Sequence, residues 1–202
     1  MRILIDLDEV MVDFIGGAAA TWGVTGEQVV AHWPAGVWDM VPPLSLALGR
    51  PKANLPPLTD SDFWARLAGE SFWLGLVPLP WMNDLLELVK SYTDDYHIVT
   101  APSRCPTSYN GKVKWLKNRF GTAFDRFVIT PHKYLFANPK TVLIDDRDSN
   151  MEEFVAAGGK GVVFPAHHNS QHRVANGADW LFRYPPQLEY VKRRLEEIEQ
   201  QL

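Results

Sequence analysis

Five short segments of this chain are apolar at nearly every position: Ile3-Leu4-Ile5 with Leu7, His97-Ile98-Val99-Thr100, Phe127-Val128-Ile129, Thr141-Val142-Leu143-Ile144 and Gly161-Val162-Val163-Phe164. A strand with one wet face alternates polar and apolar residues. A run that is apolar throughout fits a parallel strand covered on both faces. Helical patterns separate several of the runs. Leu85, Leu86, Leu88 and Val89 form one face, and Val113, Leu116 and Phe120 form another that ends at Gly121. Met151, Phe154 and Val155 precede Gly158-Gly159, and Val191, Leu195, Ile198 and Leu202 mark an amphipathic terminal helix. This alternation predicts an α/β fold with a mostly parallel central sheet and right-handed crossovers.

The stretch from about residue 14 to residue 77 is too long for one crossover helix. Short helices are expected at 14–22, 25–33 and 60–68, the last capped by Asp60, with a proline-rich break across Pro42, Pro43, Pro51, Pro56 and Pro57. The region reads as a small, mostly helical cap over the carboxyl edge of the sheet. The plainer alternative is a helical layer that only completes the core. The expected division is a core of residues 1–13 and 78–202 and a cap of residues 14–77. The whole length of 202 residues suits one domain of about 150 residues with such an insertion.

Composition removes several function classes. Twenty Lys and Arg against 24 Asp and Glu give a net charge of −4, whereas a nucleic-acid-binding domain is usually basic. A nucleic-acid polymer is therefore not the expected partner. The single cysteine, Cys105, makes no internal disulfide and points to a reducing, cytoplasmic compartment. No apolar run approaches the roughly 18 residues that span a membrane, and the N-terminus has no signal-peptide pattern. Eight Trp and ten Phe can fill a core, and some of them are free to line a pocket for a flat ligand.

Ligands of open α/β sheets bind beyond the carboxyl ends of the strands. Those ends here carry Asp6 and Asp8, Thr100, and Asp145 with Asp146, and Lys133 follows the third strand. Asp6 and Asp8, two residues apart, would share one face of a regular strand and repel unless a cation intervenes. Oxygen donors of this charge suit Mg²⁺ bound together with a substrate phosphate, and no Cys/His spacing suits zinc. A carboxylate nucleophile fits phosphoryl transfer through an aspartyl-phosphate. Asp8 would protonate the leaving oxygen and then activate water. Lys133 and Mg²⁺ would offset the phosphoryl charge, and Thr100 would donate a hydrogen bond to it. The plainer alternative is that these acids are strand-end caps and turn formers.

The same residues carry a resemblance. Asp6-Leu7-Asp8-Glu9-Val10 meets the D-x-D-x-[TV] pattern of the haloacid-dehalogenase-like phosphohydrolases. Within that superfamily the chain resembles the 5′(3′)-deoxyribonucleotidases, through DLDEVMVDF at 6–14, FWLGLVPLP at 72–80, HIVTAPSR at 97–104, KVKWLKNRFG at 112–121, TPHK at 130–133, VLIDDRDSN at 142–150 and VVFPAHHN at 162–169. The resemblance implies a Rossmann-like three-layer sandwich with a small helical cap after the first strand. It implies that Asp6 is nucleophile and Mg²⁺ ligand, and that Asp8 is general acid/base and lends its backbone carbonyl to the metal. It further implies that Thr100 and Lys133 contact the phosphoryl group, that Asp146 is the third Mg²⁺ ligand with Asp145 in support, and that Phe14 packs on the base. The implied substrates are deoxyribonucleoside monophosphates. Members of that group often form homodimers, although no interface stripe stands out in this sequence.

The chain departs from that pattern at three positions. Glu9 stands where the animal enzymes commonly have glycine, Ala101 replaces a serine beside the second-motif threonine, and Arg104 stands for a lysine as a phosphate contact. Trp38, Phe63, Trp64, Phe72 and Trp73 are candidates for the wall of a nucleobase pocket, and each is also an ordinary core residue. His167, His168 and His172 match no metal-binding spacing. His168-Asn169 instead resembles a feature of that family which holds the loop after the fifth strand. Gly111-Lys112-Val113-Lys114 lacks the other glycines of a P-loop. Two further functions stay open on these residues: a phosphatase for another small phosphomonoester, and a non-catalytic nucleotide-binding protein.

Overall fold

The computed structural model describes residues 1–176 and 186–202. The elements run β1 (Arg2–Ile5), α1 (Phe14–Thr21), α2 (Gly26–Val30), α3 (Val41–Ala47), α4 (Asp60–Arg66), α5 (Glu70–Leu74), α6 (Met82–Tyr92), β2 (Tyr96–Thr100) and α7 (Thr107–Phe120). They continue with β3 (Phe127–Ile129), a 3-10 turn (Lys133–Phe136), β4 (Thr141–Asp145), α8 (Asp148–Ala156), β5 (Lys160–Val163), α9 (His172–Asn176) and α10 (Pro186–Glu199).

The five strands form one sheet in the order β3-β2-β1-β4-β5, and every pair is parallel. The expected α/β class, parallel sheet and helical insertion after the first strand are all present. β1 is central, in register with β2 (Ile5 opposite Ile98) and with β4 (Ile5 opposite Ile144). After β3 the chain returns to lay β4 beside β1. The order therefore reverses between those two strands, which opens the crevice where such sheets bind ligands.

Alternation along β1 explains the layers. Ile3 and Ile5 enter a large apolar cluster with Leu85 and Val89 of α6, Leu116 of α7, and Val191 and Leu195 of α10. Leu4 points to the opposite face and packs with Val99, Leu143, and Met151 and Phe154 of α8. Both faces are thus covered, as the apolar runs require. On α10, Val191, Leu195 and Ile198 are buried, while Leu202 lies beyond the helix and is exposed.

Helices α1 to α4 build a separate apolar cluster around Ile15, Val29, Val41, Leu44, Phe63 and Leu67. Phe14, Trp64 and Phe72 pack against both this cluster and the large one. Two local expectations are corrected here. Pro42 and Pro43 do not break the chain but open α3, where their missing N–H groups and fixed φ suit a first helical turn. Thr59, not Asp60, caps α4. Its hydroxyl accepts from the Asp62 N–H and the Asp62 carboxylate reaches back to Thr59, a reciprocal cap that leaves Asp60 inside the helix.

Candidate active site

The chain leaves β1 in a tight turn. Asp6 still pairs with β4, its N–H donating to Ile144 O at 2.9 Å, and Met11 and Val12 then donate back to Leu7 O. Glu9 sits at the apex with φ +57°, the left-handed region. That conformation favours glycine and is uncommon for a residue with a side chain. Glu9 compensates with its side chain, whose Oε1 accepts from the Ile15 N–H at 2.6 Å near the start of α1. Burial pushes the Glu9 carboxyl well above its ordinary range, and Asp13 adds to the effect.

The turn also separates the two first-motif carboxylates, which a straight strand would aim together. Asp6 turns toward Lys133 as a close ion pair (Oδ1 to Nζ 2.6 Å). Asp8 turns the other way, to Lys112 of α7 (Oδ2 to Nζ 2.5 Å). Lys133 also donates to Asp145 Oδ2 at 2.5 Å. Asp145 is fully buried, and its other contacts are the Arg147 N–H and the Asn150 amide. Burial pulls Lys133 down, but Asp145 and Asp6 outweigh it and hold the ammonium above the ordinary lysine range. Burial pushes Asp6 well up, opposed by Lys133 and reinforced by the charges of Asp145, Asp146 and Asp8.

Asp6, Asp145 and Asp146 present oxygens within 4.8 Å of one another, all buried. One ammonium does not balance three buried carboxylates, and Asp6 Oδ1 has no aligned hydrogen bond. A hard divalent cation fits this donor set. Asp146 is held from behind by His168, whose Nε2 lies 2.7 Å from Oδ2, and by the Asn169 amide on its backbone carbonyl at 2.8 Å. Burial raises the Asp146 carboxyl, and the His168 hydrogen bond opposes that shift. Asn169 also donates to Phe164 O, so it does hold the loop after β5.

Thr100, at the end of β2, is buried, and its hydroxyl oxygen accepts from Lys112 at 2.8 Å. Thr100 lines neither cleft of the site, whereas Ala101 borders the one beside the acidic cluster and gives its carbonyl to Lys112 at 2.7 Å. This cleft, about 320 Å³, is walled by Asp6, Asp8, Lys112, Lys133, Trp73 and Arg104 among others. A second cleft, about 350 Å³, is walled by Phe14, Trp33, Trp38, Phe63, Trp64 and Met40 among others. The two share Glu9, Phe14, Trp38, Trp64, Arg104, Asp146 and Arg147, so the charged chamber adjoins the aromatic one. Phe14 stacks on Trp73 (centroids 5.8 Å apart) and leans on Trp64 (6.4 Å). Phe72 borders neither cleft and instead packs edge-on behind Phe14 and Trp73.

Sequence reasoning passed over Lys112, Trp33 and the clasp of His168 on Asp146. Lys112 was hidden because a lysine counts as polar in a helical pattern. The buried stripe of α7 is Ser108, Gly111, Lys112, Trp115 and Leu116, a helical spacing with the lysine inside it.

No protein-family model matches the chain. A protein of Staphylococcus epidermidis provisionally named a 5′(3′)-deoxyribonucleotidase is 24% identical over 182 residues, covering 89% of this chain and 91% of that protein. A protein of Staphylococcus aureus with the same provisional name is 26% identical over 174 residues, 83% of each chain. The crystal structure of a haloacid-dehalogenase-family hydrolase from Deinococcus radiodurans, with bound phosphate and sodium, superposes with a TM-score of 0.53. It is 16% identical, and the alignment covers 98% of this chain and 96% of that one. The fold is that of the haloacid-dehalogenase-like hydrolases.

Proposed function

We propose that this protein is an Mg²⁺-dependent phosphomonoesterase that hydrolyses deoxyribonucleoside monophosphates to nucleoside and phosphate. The observation that carries the reading is the joined pair of clefts. A chamber of carboxylates and lysines at the β1/β4 crevice adjoins an aromatic chamber, with Phe14, Trp38 and Trp64 lining both. A phosphate fits the first and a flat base the second. The resemblance through DLDEVMVDF at 6–14, FWLGLVPLP at 72–80 and VVFPAHHN at 162–169 and the provisional names of the staphylococcal proteins support the same substrate class.

In this reading residues 14–77 are the cap and the rest of the chain is the core. Asp6 attacks phosphorus, forming an oxygen–phosphorus bond as the ester oxygen departs. Asp8 delivers a proton to that oxygen. Asp8, now a carboxylate, takes a proton from water as the water attacks the aspartyl-phosphate, which releases phosphate and restores Asp6. Lys133 opposes the effect of burial on Asp6 and faces the phosphoryl oxygens. Thr100 donates its hydroxyl, and Arg104 lies at the mouth where the two clefts join. Asp6, Asp146 and the backbone of Asp8 would hold Mg²⁺, with Asp145 in support. The metal would supply charge neutralisation of the phosphoryl group.

The test is phosphate release from a panel of deoxy- and ribonucleoside 5′- and 3′-monophosphates, with Mg²⁺ and with EDTA. Asp6→Asn and Asp8→Asn are assayed in parallel. Mg²⁺-dependent release that favours deoxynucleotides and disappears in both variants is the expected result. Turnover of aryl phosphates alone would move the substrate elsewhere.

A further inference from the structure

Lys112 is a buried cation that the proposed chemistry does not use. Only 1% of it is exposed, on a helix whose other buried residues are small or apolar. An ammonium has three protons, and Lys112 has three acceptors at hydrogen-bond distance: Asp8 Oδ2 at 2.5 Å, Thr100 Oγ1 at 2.8 Å and Ala101 O at 2.7 Å. No donor is left over for a substrate phosphate. Its remaining side is closed by the indole of Trp73, whose centroid lies 5.0 Å from Nζ.

Each contact has a directional consequence. Asp8 Oδ2 is engaged by Lys112, whereas Asp8 Oδ1 has no partner. One oxygen is pinned by the ammonium and the other is buried without a partner among the described residues, so the carboxylate is held in one rotamer. Thr100 Oγ1 accepts from Lys112, so its own hydroxyl proton points away from the ammonium.

We propose that Lys112 is a positioning residue: it fixes the rotamer of Asp8, the group that delivers the proton to the leaving oxygen, and it directs the Thr100 hydroxyl proton away from the ammonium. This rests on the phosphomonoesterase reading. Lys112 itself touches neither phosphate nor leaving group. Its approach depends on Gly111, where a Cβ would lie 2.4 Å from Trp73 Cβ and 2.9 Å from Glu70 O. Only a residue without a side chain lets α7 lie this close to α5 and bring Lys112 under the indole.

The experiment is kcat/KM for aryl phosphates of graded leaving-group pKa, with Mg²⁺, in the wild type, Lys112→Met, Asp8→Asn and the double variant. A good leaving group such as 4-nitrophenolate departs without a proton, and a poor one such as phenolate needs it. Misaiming Asp8 therefore produces an unequal loss. Lys112→Met is expected to lose about 100-fold against phenyl phosphate and less than about tenfold against 4-nitrophenyl phosphate. The dependence on leaving-group pKa steepens. In the Asp8→Asn background the same substitution adds little to the phenyl phosphate loss, because the group it positions is already disabled. Lys112→Gln, which keeps a donor of similar reach, guards against a Met variant that fails to fold. It should show the same tilt in weaker form at a melting temperature near that of the wild type.

A loss of equal size across all leaving groups, or losses that multiply in the double variant, would show that Lys112 only supports the fold and would overturn the proposal. A wild type that hydrolyses none of the esters would remove the phosphomonoesterase reading itself, and this inference with it.

Discussion

His168 and Asp146 meet at 2.7 Å between Nε2 and Oδ2, with both side chains buried. The imidazole is stacked on Trp33 at 5.7 Å and met edge-on by Trp38 at 5.0 Å. Trp33 and Trp38 belong to the segment between β1 and β2 that also forms the aromatic cleft. One contact therefore joins a carboxylate of the acidic cluster to the wall of the aromatic chamber. Removing the imidazole frees Asp146 to rotate. His168→Ala is expected to weaken Mg²⁺ binding about 10- to 100-fold, the usual effect of losing a partner behind a metal ligand. Calorimetric titration with Mg²⁺ reads this directly, and an unchanged affinity would assign His168 to packing alone.

Lys133 stands between Asp6 and Asp145, and all three are buried. Taking away one partner of such a cluster strands the others without compensation. Lys133→Met is expected to destabilise the metal-free protein by about 3–5 kcal/mol, measured by urea denaturation in EDTA. Mg²⁺ should recover part of that loss by neutralising the same carboxylates.

The sheet and this acidic centre were legible because their signals are local. Apolar runs marked all five strands, and their carboxyl ends placed Asp6, Thr100, Asp145 and Asp146 at one edge. Lys112 was not legible because its role depends on a fold-level contact: it lies 104 residues from Asp8 in sequence and reads as an ordinary surface lysine. The divergence of Asp6 and Asp8 was hidden for a related reason. Strand periodicity aims both at one point, but β1 ends at Ile5 and the Glu9 turn swings Asp8 toward α7. Similarly, Phe72 and Trp73 are adjacent in sequence, yet only Trp73 borders the cleft, because a helix points neighbours about 100° apart.

Glu9 leads to a pH-dependent outcome. Burial raises its folded-state pKa above the ordinary glutamate value of about 4.3. A carboxyl shifted in this direction leaves the fold unpenalised below the unfolded pKa, and stability is lost as pH rises toward the folded value. Glu9→Gln retains an oxygen for the Ile15 N–H and carries no charge. In EDTA, the variant should melt at a higher temperature than the wild type at pH 7.5, and the difference should shrink toward zero near pH 4. A constant difference at both pH values would mean that the Glu9 charge does not oppose folding.

Gly111→Ala tests the close approach of α7 to α5. The added methyl would meet backbone and the root of an indole, neither of which can swing aside as a flexible side-chain tip does. A destabilisation of about 1–3 kcal/mol is expected from such overpacking. Thermal or urea melts measure it, and a neutral result would show that α5 can retreat from α7 at little cost.

Phe14→Ala tests whether recognition of a base is separable from the chemistry at phosphorus. It borders both clefts, stacks on Trp73 and touches Phe63, Trp64 and Phe72, so it is the shared wall of the two chambers. A nucleotide spanning both would lie against its ring, whereas a small aryl phosphate in the charged chamber alone would meet less of it. Phe14→Ala should therefore raise KM for a deoxyribonucleoside monophosphate more than for 4-nitrophenyl phosphate, by about tenfold if one stacking contact is lost. kcat for the aryl ester should hold, because Asp6, Asp8 and Lys133 take their positions from other partners. An equal rise in KM for both substrates, accompanied by a lower melting temperature, would make Phe14 a core residue between the two apolar clusters and would leave the base to be recognised by Trp38 and Trp64.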